Sequence, residues 1–161
     1  MGADYFAVMP GSAWIGKRWS VSSYADVIEG SPLPVLVLGT AKDRESVALV
    51  AELARRGVPH FSGVGPHRLR TVARWIAGSK GLLVNDTGLL HLAEALGVAV
   101  VGIYGPTHPE LGYAPWQGKS RAVQSKLWCS PCGKDGSFCF RMVDRYRCLK
   151  FISSEKARFA V

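Results

Sequence analysis

The residue types and spacing that could do chemistry begin with Asn85-Asp86-Thr87-Gly88-Leu89-Leu90-His91, set between the apolar Leu82-Leu83-Val84 and a helical pattern. The stretch reads as a strand, a tight turn and a helix start. Asn85, Asp86 and Thr87 are all types that cap helices, and Gly88 lets the backbone approach a ligand with no side chain between. The N–H groups that open a helix have no intrahelical acceptor and lie at the positive end of its dipole, so a phosphate fits there. His91 follows Thr87 by four residues and so shares its helix face. A plain capped helix with a buried, hydrogen-bonded histidine fits the same residues.

A second group follows the apolar run Tyr5 to Met9 and the Pro10-Gly11 turn. It is the loop Ser12-Ala13-Trp14-Ile15-Gly16-Lys17-Arg18-Trp19. Lys17 or Arg18 could meet a phosphate as a charged donor. A surface pair of cations, with Trp14 and Trp19 packed beneath, is the other reading. Two further loops carry polar groups, Thr40 to Asp43 and Gly105-Pro106-Thr107-His108.

The elements needed to hold these loops alternate along the chain. Continuous apolar runs at Tyr5–Met9, Val35–Gly39, Gly81–Val84 and Val98–Tyr104, with a weaker one at Phe61–Val64, are expected strands. Between them, helical spacing predicts a helix capped by Ser22 and Ser23 and running through Ile28. A second is capped by Asp43, with Val47, Val50, Leu53 and Ala54 inward, and ends at Gly57. A third has Leu69, Val72, Ala73 and Ile76 inward and ends near Gly78, and the fourth starts at the turn of Asn85 to Gly88 and closes at Gly97. Strands without polar alternation, separated by helices, predict an α/β fold, a doubly wound and mostly parallel Rossmann-like sheet. The four polar loops should then converge along one edge of the sheet. No Gly-x-Gly-x-x-Gly and no Walker A pattern is present.

With 161 residues, one core is expected, and 48% hydrophobic against 20% charged residues describes a globular chain. No apolar run reaches the roughly 18 residues of a spanning helix. The first ten residues carry Asp4 rather than a basic stretch, so a cytoplasmic location is expected. A net charge of +8 and a pI near 9.6 favour anionic partners. The cations are dispersed, with Arg68, Arg70 and Arg74 on one helix and Lys134, Arg141, Arg145, Arg147 and Lys150 late in the chain. No helix-turn-helix or RNP pattern accompanies them, and nucleic acid is not an expected partner.

Pro10-Gly11-Ser12 with Lys17-Arg18-Trp19, then Asn85-Asp86-Thr87-Gly88-Leu89-Leu90-His91-Leu92-Ala93, then Gly105-Pro106-Thr107, closely resemble glycosyltransferase family 9, the ADP-heptose:lipopolysaccharide heptosyltransferases. The resemblance covers almost the whole chain in the same order. It implies the C-terminal, donor-binding half of a GT-B enzyme, whose acceptor half and general base belong to an N-terminal domain. Donor contacts are implied for Ser12, Lys17, Asp86, Thr87, Gly88, Leu89 and His91. His67, in the loop Gly65-Pro66-His67, would lie near the base. The loop holding Lys42 and Asp43 would lie near the ribose, with Asp43 as its carboxylate. Lys17 and Asp86 are the expected catalytic pair, Lys17 offsetting charge on the leaving diphosphate and Asp86 accepting from sugar hydroxyls. No essential metal or other cofactor is implied. The implied partners are an ADP-heptose-like donor and an anionic glycolipid acceptor, with peripheral membrane contact. Acting alone, the chain is expected to bind donor and to transfer little. A stand-alone nucleotide-binding module, or a basic zinc-ribbon nucleic-acid binder, are the competing functions.

All four cysteines fall in an expected C-terminal segment, 126–161, packed on the nucleotide-sugar domain of residues 1–125. Their spacing is Cys129-x2-Cys132-x6-Cys139-x8-Cys148. Reduced structural thiols are the first expectation, a tetrahedral zinc site the second and disulfides the third.

Overall fold

The computed structural model describes residues 4–133 and 135–159, so Lys134 lies outside the described residues. Six strands form one parallel sheet: β1 Phe6–Met9, β2 Val35–Gly39, β3 His60–Val64, β4 Leu82–Asn85, β5 Val100–Tyr104 and β6 Arg121–Gln124. Their order is β3-β2-β1-β4-β5-β6. The helices are α1 Val21–Glu29, α2 Arg44–Arg55, α3 Leu69–Ala77, α4 Gly88–Ala95 and the short α5 Arg147–Lys150. This is the doubly wound α/β unit expected from the alternation of elements.

Burial on both faces explains why the strands read as unbroken apolar runs. Phe6 and Val8 of β1, with Val35 and Val37 of β2, pack on one face beneath α1 and α2. Tyr5 and Ala7, with Leu36 and Leu38, pack on the other beneath α3 and α4. Alternate residues point to opposite faces, so the residues of the central strands are apolar, with Asn85 at the end of β4 the exception. The end of the chain closes the first face: Cys148, Leu149, Ile152 and Ala157 belong to the same core, and Phe159 stacks on Phe6 at 3.8 Å.

Several local expectations are corrected. Ser20, not Ser22 or Ser23, caps α1: it has extended backbone, and its hydroxyl accepts from the Ser23 N–H at 3.1 Å. Val47 and Ala54 of α2 are exposed, while Ser46, Leu49 and Leu53 form the inward face with Val50 half-buried. Leu69 of α3 is exposed rather than inward, at 64%. The sixth strand, Arg-Ala-Val-Gln, is absent from the expected set because it is a short edge strand with polar ends and buries only Val123. Gly97 follows α4 with φ +78, the left-handed backbone expected of a helix stop.

Candidate functional site

The chain leaves β1 and β4 toward opposite faces of the sheet, since α1 packs into one core and α4 into the other. The two strands are neighbours, pairing Met9 with Val84. Such a reversal opens a crevice beyond the carboxyl ends of the strands, where open α/β sheets bind ligands. The loop after β1 and the turn after β4 meet there.

Asn85, fully buried, fastens the two together. Its Nδ2 donates to the Pro10 carbonyl at 2.6 Å, and its Oδ1 accepts from the Trp19 N–H at 3.3 Å and the Tyr24 hydroxyl at 3.0 Å. A residue read as a helix-cap type therefore does another job: it holds the first loop and α1 against the end of β4. Burial drives the Tyr24 hydroxyl's pKa well up, so it stays a neutral donor.

Beside Asn85, Asp86 accepts from Lys17 Nζ at 2.7 Å, with the two side chains only 4% and 11% exposed. Lys17 ends a short 3-10 turn, Ile15–Lys17, and its ammonium also sits 5.8 Å from the centre of the Tyr113 ring. Arg18 is committed elsewhere. Its guanidinium donates to the Ser12 carbonyl at 2.8 Å and to Glu45 at 3.0 Å, which shapes the loop instead of leaving a free cation. Of the two tryptophans expected to pack beneath, Trp19 does so and Trp14 is exposed.

Thr87 stands at the N-cap position of α4, but its hydroxyl makes no capping bond. Thr87 Oγ1 is shielded and has no hydrogen-bond partner among the described residues. The N–H groups of Gly88 and Leu89, in the first turn, have no intrahelical acceptors. A Cβ placed on Gly88 would meet nothing within 4 Å. Packing therefore does not require glycine there, and the space it leaves faces outward from the helix start.

Three adjoining hollows that share Met9 make a groove across the ends of β1, β2 and β4. One of about 200 Å³ is lined by Leu38, Asp43, His67, Leu69, Val72 and Leu89, among others. One of about 310 Å³ holds Ser12, Thr40, Lys42, Asp43 and Thr87, and one of about 410 Å³ holds Leu69, Thr87, Gly88 and Leu89. Exposed Leu69 thus serves the groove wall, not the core. His67 is held edge-on against Trp75, ring centres 4.7 Å apart.

Asp43 and Lys42 both reach the groove. Asp43 is the one built into it, since a Cβ on Gly11 would come within 1.9 Å of Asp43 Oδ2. Although Asp43 sits at the N-cap of α2, its carboxylate makes no capping bond and accepts from Ser46 Oγ at 3.3 Å. Burial, then the nearby Glu45 charge, raise its pKa from the ordinary aspartate value.

Of the residues singled out by sequence, Ser12, Asp43, His67, Thr87, Gly88 and Leu89 line the groove. Lys17 and Asp86 form the ion pair at its β4 end. His91 is turned elsewhere, its ring parallel to that of Trp116 at 6.1 Å. The loop carrying Trp116 escaped sequence reasoning. It is fastened to α4 by buried Glu94, which accepts from the N–H groups of Trp116 at 2.6 Å and Gln117 at 3.1 Å. Tyr104 Oη adds a bond to the Tyr113 carbonyl. A glutamate on an otherwise apolar helix face was the available signal.

The four cysteines are free thiols. Burial pushes the Cys148 thiol up to about 11 and raises that of Cys132. Among the described residues no group of three or more His, Cys, Asp or Glu is arranged to hold a metal ion. The segment is tied instead to the loop after β5, with Ser130 Oγ donating to the Gly105 carbonyl at 2.8 Å and the Cys132 N–H to the Pro106 carbonyl at 3.0 Å.

Comparison with known proteins agrees with this geometry. Residues 1–139 match the model of glycosyltransferase family 9 (heptosyltransferase). The chain is 32% identical over 143 residues to lipopolysaccharide heptosyltransferase 1 of Pseudomonas aeruginosa, an alignment covering 83% of this chain and 37% of that protein. The structure of E. coli ADP-heptose lps heptosyltransferase II superposes with a TM-score of 0.73 at 25% identity, covering 95% of this chain and 44% of the other. E. coli heptosyltransferase WaaC with ADP gives 0.62 at 26% identity, covering 74% and 37%. The chain therefore spans less than half the length of these relatives. Taken with the site, the match over residues 1–139 shows that the chain belongs to glycosyltransferase family 9, the heptosyltransferases.

Proposed function

We propose that the chain is the donor-binding half of a heptosyltransferase, holding an ADP-heptose-like nucleotide-sugar for transfer to a lipopolysaccharide core acceptor. The observation that carries this reading is the open first turn of α4 at Thr87–Leu89, set beside the Lys17–Asp86 pair where the sheet's connections reverse. Relatives known with ADP bound, such as E. coli WaaC, support it.

In this arrangement the base enters the apolar hollow between His67, Leu69, Val72 and Leu89, and Asp43 accepts from the ribose hydroxyls. The diphosphate lies on the N–H groups of Gly88 and Leu89. Lys17 keeps one N–H on Asp86 and has two more for phosphate oxygens, since an ammonium carries three donors. Asp86 turns its remaining lone pairs to the sugar. As the bond from the anomeric carbon to phosphate oxygen breaks, its electron pair passes to the diphosphate. The α4 N-terminus and Lys17 stabilise that growing charge without moving a proton. The hydroxyl oxygen of an anionic glycolipid acceptor forms the new bond to the anomeric carbon, and the base that takes its proton belongs to an N-terminal acceptor-binding domain.

Calorimetric titration of the chain with ADP, UDP and GDP tests the assignment. ADP should bind at least about tenfold more tightly than UDP, with no heptosyl transfer by the chain alone. Absence of measurable ADP binding would overturn the reading.

A further inference from the structure

The loop that carries Lys17 is gripped by the cysteine-containing segment, at a place where three loops meet through glycines. Gly136 is buried, with φ +70, and a Cβ on it would stand 3.0 Å from Lys17 Cγ and 3.0 Å from Pro106 Cγ. On Gly16, the residue before Lys17, a Cβ would collide with the Gly136 carbonyl oxygen and come within 2.6 Å of the Tyr146 ring. One on Gly105 would stand 2.7 Å from Leu149 Cδ2 and 3.3 Å from the Gly16 carbonyl oxygen. Backbones come this close only where no side chain intervenes.

Gly136 therefore packs on the stem of Lys17, while the ammonium is held by Asp86 at 2.7 Å and sits 5.8 Å from the centre of the Tyr113 ring. A lysine stem is a flexible four-carbon chain, and Asp86 restrains only its tip. The turn that carries Gly136 is anchored in its own right. Besides the bonds of Ser130 and Cys132 to the loop after β5, the Tyr146 N–H donates to Cys139 Sγ at 3.4 Å. Asp135 belongs to the same turn, and its carboxyl is held below the ordinary aspartate value first by the Ser137 N–H and also by the Lys17 charge.

We propose that Gly136 is a positioning residue of the donor site: through it the cysteine-containing segment fixes the stem of Lys17 and so aims the ammonium at the donor's diphosphate. The inference rests on the donor-site reading above and extends that site to a segment that lines none of the groove. Displacing the turn would free the cation that meets the phosphates. The base and ribose contacts at His67, Leu69 and Asp43 come from other loops and would remain.

Calorimetric titration of the intact chain with ADP, and with adenosine, which lacks the diphosphate, tests this. Gly136→Ala should weaken ADP binding at least about tenfold and leave adenosine binding unchanged. Gly57→Ala controls for backbone strain: Gly57 has φ +68, a Cβ there meets nothing within 4 Å, and both affinities should stay as in wild type. Because Gly136 acts through Lys17, Lys17→Met/Gly136→Ala should bind ADP no more weakly than Lys17→Met. Ser130→Ala removes the bond to the Gly105 carbonyl without adding an atom. It should weaken ADP binding about threefold, and it decides the matter if Gly136→Ala does not fold. With wild type binding ADP, unchanged ADP affinity in these variants, equal losses of ADP and adenosine, or additive losses in the double variant would overturn the proposal. A wild type that does not bind ADP would overturn the donor-site reading, and this proposal with it.

Discussion

Lys17 Nζ and Asp86 Oδ2 lie 2.7 Å apart, although sixty-nine residues separate them in sequence, and both are nearly buried. The pair joins the loop after β1 to the turn after β4. It sets a cation beside the open start of α4 before any ligand arrives, and lets Asp86 fix where that cation stands.

Breaking the pair from one side should cost stability as well as binding. Lys17→Met leaves a buried carboxylate without its partner, a loss of about 3 kcal/mol, while Lys17→Met/Asp86→Leu should recover most of it. Urea denaturation measures both. A single variant as stable as wild type would mean that the pair contributes nothing to the fold.

Gly88 separates ligand from fold. A Cβ there meets no protein atom within 4 Å, so Gly88→Ala should leave the melting temperature within about 2 °C of wild type, a change of a few tenths of a kcal/mol. The same variant should weaken ADP binding at least about tenfold by occupying the phosphate's place. Calorimetry beside thermal melting separates the two effects, and unchanged ADP affinity would count against the cradle.

The opposite behaviour is expected at Gly11, where an added Cβ would strike the Asp43 carboxylate. Gly11→Ala should destabilise by about 1–3 kcal/mol through overpacking. Gly11→Ala/Asp43→Ala should regain part of that loss, because the carboxylate is the group struck. Additive losses in the double variant would show that the strain lies elsewhere.

These contrasts also show what the sequence could and could not convey. The sheet, its helices and the convergence of the polar loops were legible, because two-sided burial makes central strands continuously apolar. The helix start at Thr87 and Gly88 was legible through local chemistry alone, with Thr87 at the N-cap and Gly88 as the first residue of α4. The work of Asn85 was not, since its three partners come from Pro10, Trp19 and Tyr24 and exist only after β1 and β4 pair. Leu69 was misread for a related reason: an apolar residue that serves a ligand groove has the same helical spacing as one that serves the core.

The raised pKa of Asp43 makes stability depend on pH. Its ionised form is disfavoured in the folded state, so the stabilising contribution is full below the unfolded carboxylate range and is lost as pH rises through the higher folded value. Asp43→Asn should therefore melt above wild type at neutral pH, with the gap closing below about pH 4. Melting curves across pH 3 to 8, on the order of one unit apart, test this. A gap that widens on acidification would reverse the sign.

The central claim is that the start of α4 cradles the donor's diphosphate, and titration of the isotope-labelled chain with ADP, followed by amide NMR, tests it most directly. The account predicts the largest shifts at the N–H groups of Thr87, Gly88 and Leu89, with further shifts around Ser12, Asp43 and His67. Saturating ADP that leaves Thr87 to Leu89 unmoved would contradict it.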